Sequence, residues 1–267
     1  MIRALWEKRN KGVSLIAERG PFFYGKAERN IMMEWLKSIG ESFYNAWFPE
    51  QRYLAYLSGL RMTLLISLFA VLIGIVIGVL IAVIRVTART SKLFIIKVLD
   101  KIALFYITVI RGTPMIVQIM IIYNLIFTSP NTNPIVVGAV CCGINSGAYV
   151  AEIIRAGIAS IPVGQMEAGR SLGLTYTMTM RTVILPQAFK NILPALGNEF
   201  ISLIKETSVI SVIAVNDLMK MAGYVGSRTW DVIPPYVIAA AIYLTMTLFL
   251  TWLMGKFEKK MAKSDRH

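Results

Sequence analysis

Histidine is nearly missing from this 267-residue chain: there is one, His267, and it is the last residue. Its position removes Ser–His and Cys–His nucleophilic chemistry and most zinc sites. Cysteine is almost as scarce. Cys141 and Cys142 are neighbours inside an apolar run. They are too close for an ordinary disulfide and lack metal-ligand spacing, so they read as small reduced packing residues, and no metal is expected. Charge is the third shortage: 16% of residues are charged, against about a quarter in a soluble domain. Residues 62–84, MTLLISLFAVLIGIVIGVLIAVI, carry none at all. About 20 apolar residues let a helix cross the ~30 Å hydrocarbon core of a bilayer. The run lies too far from Met1 to be a signal peptide, and Glu7, Glu18 and Glu28 interrupt what precedes it.

What is present follows from that run. Four more apolar stretches lie at residues 102–127, 135–154, 192–215 and 236–254. The second of the five is broken by Arg111-Gly112-Thr113-Pro114, and the fourth holds Asn198, Glu199, Lys205 and Glu206. An all-α membrane protein with five spans is expected. The formal charge of +13 fits basic residues flanking spans better than nucleic-acid binding. Arg85, Arg89, Lys92, Lys97 and Lys101 follow the first span, and Arg155, Arg170, Arg181 and Lys190 follow the third. The tail carries Lys256, Lys259, Lys260, Lys263 and Arg266, whereas TSPNTNP has no basic residue and the loop 216–235 has only Lys220 and Arg228. The bias places the basic set in the cytoplasm, with the N-terminus outside and the C-terminus inside.

Three regions are expected: an N-terminal extension over residues 1–56, a transmembrane region over 57–258 and a basic cytoplasmic tail over 259–267. The extension opposes the charge rule, because residues 1–57 hold nine Lys and Arg, partly offset by six Glu. Ile31, Trp35, Ile39, Phe43 and Trp47 recur at roughly helical spacing, which predicts an interfacial amphipathic helix over 31–48. Met32 and Met33 offer a second translation start to set against Met1. Residues 20–26, GPFFYGK, imitate the start of a nucleotide-binding P-loop. Ala27 stands where a magnesium-ligating Ser or Thr belongs, Pro21 has no amide hydrogen and Phe22, Phe23 and Tyr24 are bulky, so no nucleotide is expected there. GIVIG at 74–78 and GINSG at 143–147 are small-residue patterns suited to close helix packing.

Polar residues inside spans are costly and are candidate functional groups. Asn145, Tyr149 and Glu152 share one helix face by spacing; Glu199, Ser202 and Glu206 share another, and Asn198, Ser202 and Lys205 a third. An amino acid needs acceptors for its ammonium and donors for its carboxylate. Asn145, Tyr149, Glu152, Asn198, Glu199 and Ser202 are the candidates for lining a path. Helix–helix glue, or charges reaching for an interface, is the competing reading.

Between the third and fourth apolar runs the chain turns polar. Glu167-Ala168-Gly169, three residues, Gly173, nine residues and Val183-Ile184-Leu185-Pro186 follow one another. The spacing resembles the EAA loop, E-A-A-x3-G-x9-I-x-L-P, of the membrane subunits of binding-protein-dependent ABC importers. Gly169 replaces Ala and Val183 replaces Ile, and glycine at 169 should loosen a helix by about 1 kcal/mol. Arg111-Gly112-Thr113-Pro114 with Gln118 narrows the likeness, as do Ala148-Tyr149-Val150-Ala151-Glu152-Ile153 with Arg155 and Ile161-Pro162-Val163-Gly164-Gln165. With Gly197-Asn198-Glu199-Phe200 running into Lys205-Glu206-Thr207-Ser208, they look like the polar amino-acid permeases of histidine, glutamine, glutamate and arginine type. The resemblance covers about residues 57–258.

The resemblance implies the type I permease fold of ABC importers, with a cytoplasmic coupling helix between spans three and four. Gly164, Gln165, Glu167, Ala168, Gly169, Ser171, Leu172 and Gly173 would meet an ABC ATPase dimer. ATP and magnesium would sit on that ATPase, leaving this chain non-catalytic and without a cofactor. An extracytoplasmic amino-acid-binding protein would deliver substrate to the inner membrane. A second permease copy or homologue would complete the pore, the homodimer being favoured. The rival class is an ion-coupled secondary transporter or channel using its intramembrane acids. Five spans are few for it, and it has no use for the EAA spacing. A plain membrane anchor would leave the polar faces unexplained.

Overall fold

The structure is a computed structural model describing residues 26–127 and 132–263. Most of the P-loop lookalike, residues 128–131 of the TSPNTNP connection and the end of the basic tail with His267 lie outside the described residues. The chain forms two compact units, one of residues 1–56 with 222–239, the other of residues 57–221 with 240–267. Every regular element among the described residues is helical.

In the first unit, helix α1 (Lys26–Trp47) precedes a single 3-10 turn, Pro49–Gln51. Trp35, Ile39, Phe43 and Trp47 are half-buried along one stripe, and Ile31 is exposed. The turn is fixed by aromatic packing. Trp47 stacks on Tyr56 with centroids 5.5 Å apart, and the Tyr56 hydroxyl donates to the Ala46 carbonyl at 3.3 Å.

The second unit is organised by two long helices, α2 (Tyr53–Thr90), which begins in the first unit, and α5 (Pro134–Ala159). The two glycine patterns meet each other. A Cβ on Gly74 would lie 2.8 Å from Ser146 Oγ, and one on Gly143 would lie 2.7 Å from Ile73 Cγ2. Gly78 faces Val150 and Gly147 faces Ile77 in the same way. Each helix thus seats the branched residues of the other against its own glycines, as close backbone packing in lipid requires. Ile66, Ala70, Ile119, Cys141, Cys142, Leu203 and Ile210 form the adjoining core, and both cysteines are buried and free.

Two apolar stretches are bent. The run over 102–127 is two helices, α3 (Phe94–Gly112) and α4 (Met115–Ile126), at 116° to one another. Proline excludes its predecessor from helical angles, and Thr113 is extended, with φ −120 and ψ 150. The loop expected over 216–235 is instead largely a helix, α9 (Leu218–Thr229). Its start was hidden because its cap is a single buried residue: Asp217 accepts from Met219 N at 3.2 Å and Lys220 N at 2.9 Å. The Leu218 amide donates to Thr63 Oγ1 on α2 at 3.2 Å, and Tyr243 approaches Asp217 at 3.5 Å from α10 (Ile233–Lys263). Among the described residues, three helices are long and apolar enough to cross a membrane alone, and the number reaches five if each bent pair is one span.

The glycine seam predicts a clear contrast. Gly78→Ala places a methyl 2.5 Å from Val150 Cγ1 and 2.8 Å from the Ala151 amide, an overpacking that costs about 1–3 kcal/mol. Gly255→Ala on α10 meets nothing within 4 Å. Thermal unfolding of the solubilised chain should fall with the first substitution and hold or rise with the second, where alanine favours the helix by about 1 kcal/mol.

Candidate functional site

The polar loop is built from α6 (Val163–Ser171), held between Pro162 and Gly173. Pro162 stands just before the first helical residue, and Gly173 takes φ +81, a left-handed stop that suits glycine. Gly164, Gln165, Glu167, Ala168, Ser171, Leu172 and Gly173 are all exposed. Leu172 and Val163 are large apolar residues at 83% and 72% exposure, unusual for a short helix without a covering partner. Gly169 alone is buried.

Gly169 is more than a loosened alanine. A Cβ there would run into the side chain of Thr179, which is fully buried and branched at its own Cβ. Thr179 belongs to α7 (Tyr176–Thr179), which passes through five π-helical residues, Met180–Ile184, into α8 (Leu185–Glu206). Pro186 therefore does not begin a separate helix. Its ring would press on the carbonyl four residues back, and the widened turn before it gives room. α6 is tied to α8 where Gln187 reaches Gln165 at 3.5 Å, and α8 is tied to the end of α5, where Asn191 Nδ2 donates to Ser160 Oγ at 2.8 Å. Gly157 of α5 lies directly against Ile192 of α8.

The polar residues inside the spans divide into separate contacts. Asn145 is buried and donates to Gln118 Oε1 at 2.7 Å. The Gln118 amide in turn donates to the Ile110 carbonyl at 2.6 Å and the Thr113 carbonyl at 2.9 Å. These are the carbonyls freed by the α3–α4 bend, so Asn145 and Gln118 seal a broken helix. Tyr149 receives the Arg111 guanidinium over its ring at 5.5 Å. Arg111 is thus engaged by an aromatic face. Glu152 is held by Arg155 through Nε at 2.8 Å. Glu199 accepts from Ser146 Oγ at 2.8 Å, joining α8 to α5. Ser202 is half-buried, while Asn198, Lys205 and Glu206 are exposed.

Sequence reasoning left Ser146 and Gln118 out of the candidate set. Ser146 was signalled by its place beside Asn145, and Gln118 by its polarity within an otherwise apolar run. No group of three or more metal-ligating side chains occurs among the described residues.

The long apolar helices, the bent pairs and the polar interior define an integral membrane protein whose polar groups meet between helices. The chain belongs to the binding-protein-dependent transport system inner membrane components, which it matches over residues 74–263. It is similar to the arginine transport system permease protein ArtQ of Bacillus subtilis, with 42% identity over 61% of this chain and 76% of that one. It is also similar to a putative glutamine transport system permease protein, GlnP, of Rickettsia bellii, with 41% identity over 60% and 74%. A crystal structure of an amino acid ABC transporter with histidines superposes with TM-score 0.72 and 47% identity, covering 78% of this chain and 94% of that chain. The inward-facing MetNI methionine ABC transporter shares the fold, with TM-score 0.66 and 16% identity over 80% and 99% of the two chains. The chain is therefore the membrane-embedded component of a transport system that works with a separate binding protein.

Gly169→Ala should lower thermal stability although alanine favours a helix by about 1 kcal/mol, because the added methyl meets Thr179 and overpacking costs about 1–3 kcal/mol. Gly169→Ala combined with Thr179→Ala should recover most of the loss. Unfolding curves of the two variants check this.

Proposed function

We propose that this chain is the permease of an ATP-driven importer for polar amino acids, with α6 as its coupling helix. One observation carries the reading: a short exposed helix, standing between two fixed bends, bears the EAA spacing and a pair of uncovered apolar residues, Val163 and Leu172. Such a surface suits the groove of a cytoplasmic ATPase. ATP and magnesium belong to that partner. The bent pairs count as single spans in this reading, giving five spans with the N-terminus outside and the C-terminus in the cytoplasm. Two permease copies, taken here as identical, complete the pathway, and an extracytoplasmic binding protein supplies the amino acid. Relatives named for arginine and glutamine transport support this substrate class.

The mechanism follows from the connections of α6. ATPase closure displaces α6, which follows α5 in the chain and is fastened on the α8 side by Gln187 and Thr179. Those helices also carry Ser146 and Glu199, so the displacement alters the polar interior and exchanges inward- and outward-facing states. Glu199 offers an acceptor for a substrate ammonium. Asn145, Tyr149, Glu152, Asn198 and Ser202 complete the proposed path; the first three act there only if their present contacts with Gln118, Arg111 and Arg155 open during transport.

Co-purification from native membranes tests the coupling. A P-loop ATPase should accompany the native chain and be lost with Glu167→Lys, which reverses a charge on α6. Absence of any ATPase from the native preparation overturns the reading. Glu199→Gln should keep the ATPase bound yet reduce amino-acid uptake into vesicles by about tenfold, the loss of one charge-assisted contact.

A further inference from the structure

We infer that the end of the α2–α5 seam is a binding site for the phosphate of an anionic phospholipid, a role separate from transport and resting only on the membrane location. The glycine contacts bring the two helices together at Gly78 and Ala151. Two turns beyond Gly78 is Arg85, and one turn beyond Ala151 is Arg155. Both line a pocket of about 130 Å³, with Arg89 from α2 and Asp100 from α3. Ala82 and Ala151, both buried, form its small-residue floor.

The charge in this pocket is unbalanced. Arg85 meets Asp100 at 3.4 Å, and Arg155 is held by Glu152. Arg89 has no ion pair among the described residues and is exposed at the pocket mouth. Three guanidinium groups therefore line the pocket against two carboxylates, Asp100 in its wall and Glu152 beside it, which leaves the charge of Arg89 without a partner. Guanidinium is suited to phosphate oxygens by its fixed fork of donors. The volume is well below the roughly 300 Å³ at which pockets enclose a drug-sized ligand, so it fits a headgroup phosphate and excludes a nucleotide.

The position selects a lipid over a soluble anion. The uncharged run of α2 ends at Ile84, so Arg85 and Arg89 stand at the level where hydrocarbon gives way to headgroups. Immediately after them, Leu93, Phe94 and Ile95 are 64%, 82% and 60% exposed, a surface fit to sit in the upper acyl region. Below the pocket, Leu80 and Val83 of α2 and Ile102 and Phe105 of α3 are also exposed. A lipid with its phosphate among the arginines can lay its chains along these side chains. Basic pockets between membrane helices recognise anionic headgroups by this combination.

Native mass spectrometry of the full chain, solubilised mildly with whatever it retains, tests the site with dioleoyl phosphatidylglycerol against dioleoyl phosphatidylcholine. Phosphatidylglycerol should be retained in preference, and Arg89→Gln should weaken it about fivefold, the value of one basic residue near a membrane surface. Arg89→Gln breaks no ion pair among the described residues and should leave the fold intact, which the unfolding temperature verifies. Lys92→Gln with Lys97→Gln removes charge outside the pocket and should leave binding unchanged. Equal retention of the two lipids, or equal loss in the Arg89 and lysine variants, overturns the site. Displacement of the lipid by millimolar inorganic phosphate would reassign the pocket to a soluble anion and overturn the lipid. None of these results bears on ATPase co-purification, so the transport reading stands or falls separately.

Discussion

Inside a bilayer the hydrophobic effect does not press helices together, because lipid chains are as apolar as leucine. Contact rests on close fit, and here the fit is the reciprocal seam of Gly74 and Gly78 with Gly143 and Gly147. The rest of the interior inherits its geometry from that seam. It presents Ser146 beside Gly74 while leaving its hydroxyl free to reach Glu199. It brings Tyr106 of α3 against Gly147, where the Tyr106 hydroxyl donates to the Ile144 carbonyl. It also sets the basic end of α2 beside that of α5. Larger residues at the four glycines would separate the helices and loosen all of these contacts together.

The straight helices make the bent ones affordable. A break inside a membrane leaves backbone groups without water to satisfy them, and each such group costs several kcal/mol. At Thr113–Pro114 the freed carbonyls are met by Gln118, itself anchored by Asn145 of α5. At the second break Ala214 adopts φ 60, and the amides opening α9 are met by Asp217 and by Thr63 of α2. In each case a side chain on a straight helix completes the satisfaction of a broken one. Asn145 is thus a structural residue in this state, whatever it does when the helices rearrange.

The sequence made some of this legible and hid the rest for physical reasons. The first span was plain because 23 consecutive uncharged residues over 62–84 permit little else. The short helix of the loop was legible through the EAA spacing, a local pattern that includes Gly173, the residue type suited to φ +81. The bend at Pro114 was marked by proline, but its angle depends on Gln118 and Asn145, which lie 27 residues apart. The helix over Leu218–Thr229 was missed because its one local signal is the cap Asp217, while the other partners of its start, Thr63 and Tyr243, lie far away in the chain. The pairing of Ser146 with Glu199 likewise crosses 53 residues. Periodicity identifies a polar face, yet it cannot distinguish a face turned to a pathway from one sealing another helix. The meaning of Gly169 also lay in a partner, Thr179, and not in helix propensity.

The packing of α5 against α8 gives the loop its leverage. Near the loop the two helices are joined by Gly157 against Ile192 and by Asn191 to Ser160. Ser146 lies 14 residues before Ser160, about 21 Å along a helix, and there the same pair is joined again through Glu199. A force on α6 must act through the first junction, because Thr179 and Gln187 fasten α6 on the α8 side while Ser160 continues directly into α5. The second junction includes a hydrogen bond to the half-buried Glu199 carboxylate, where the first rests on the close contact at Gly157. In the proposed transport cycle, a shift of one helix against the other would part Ser146 from Glu199 and leave that carboxylate as an acceptor for a cationic group.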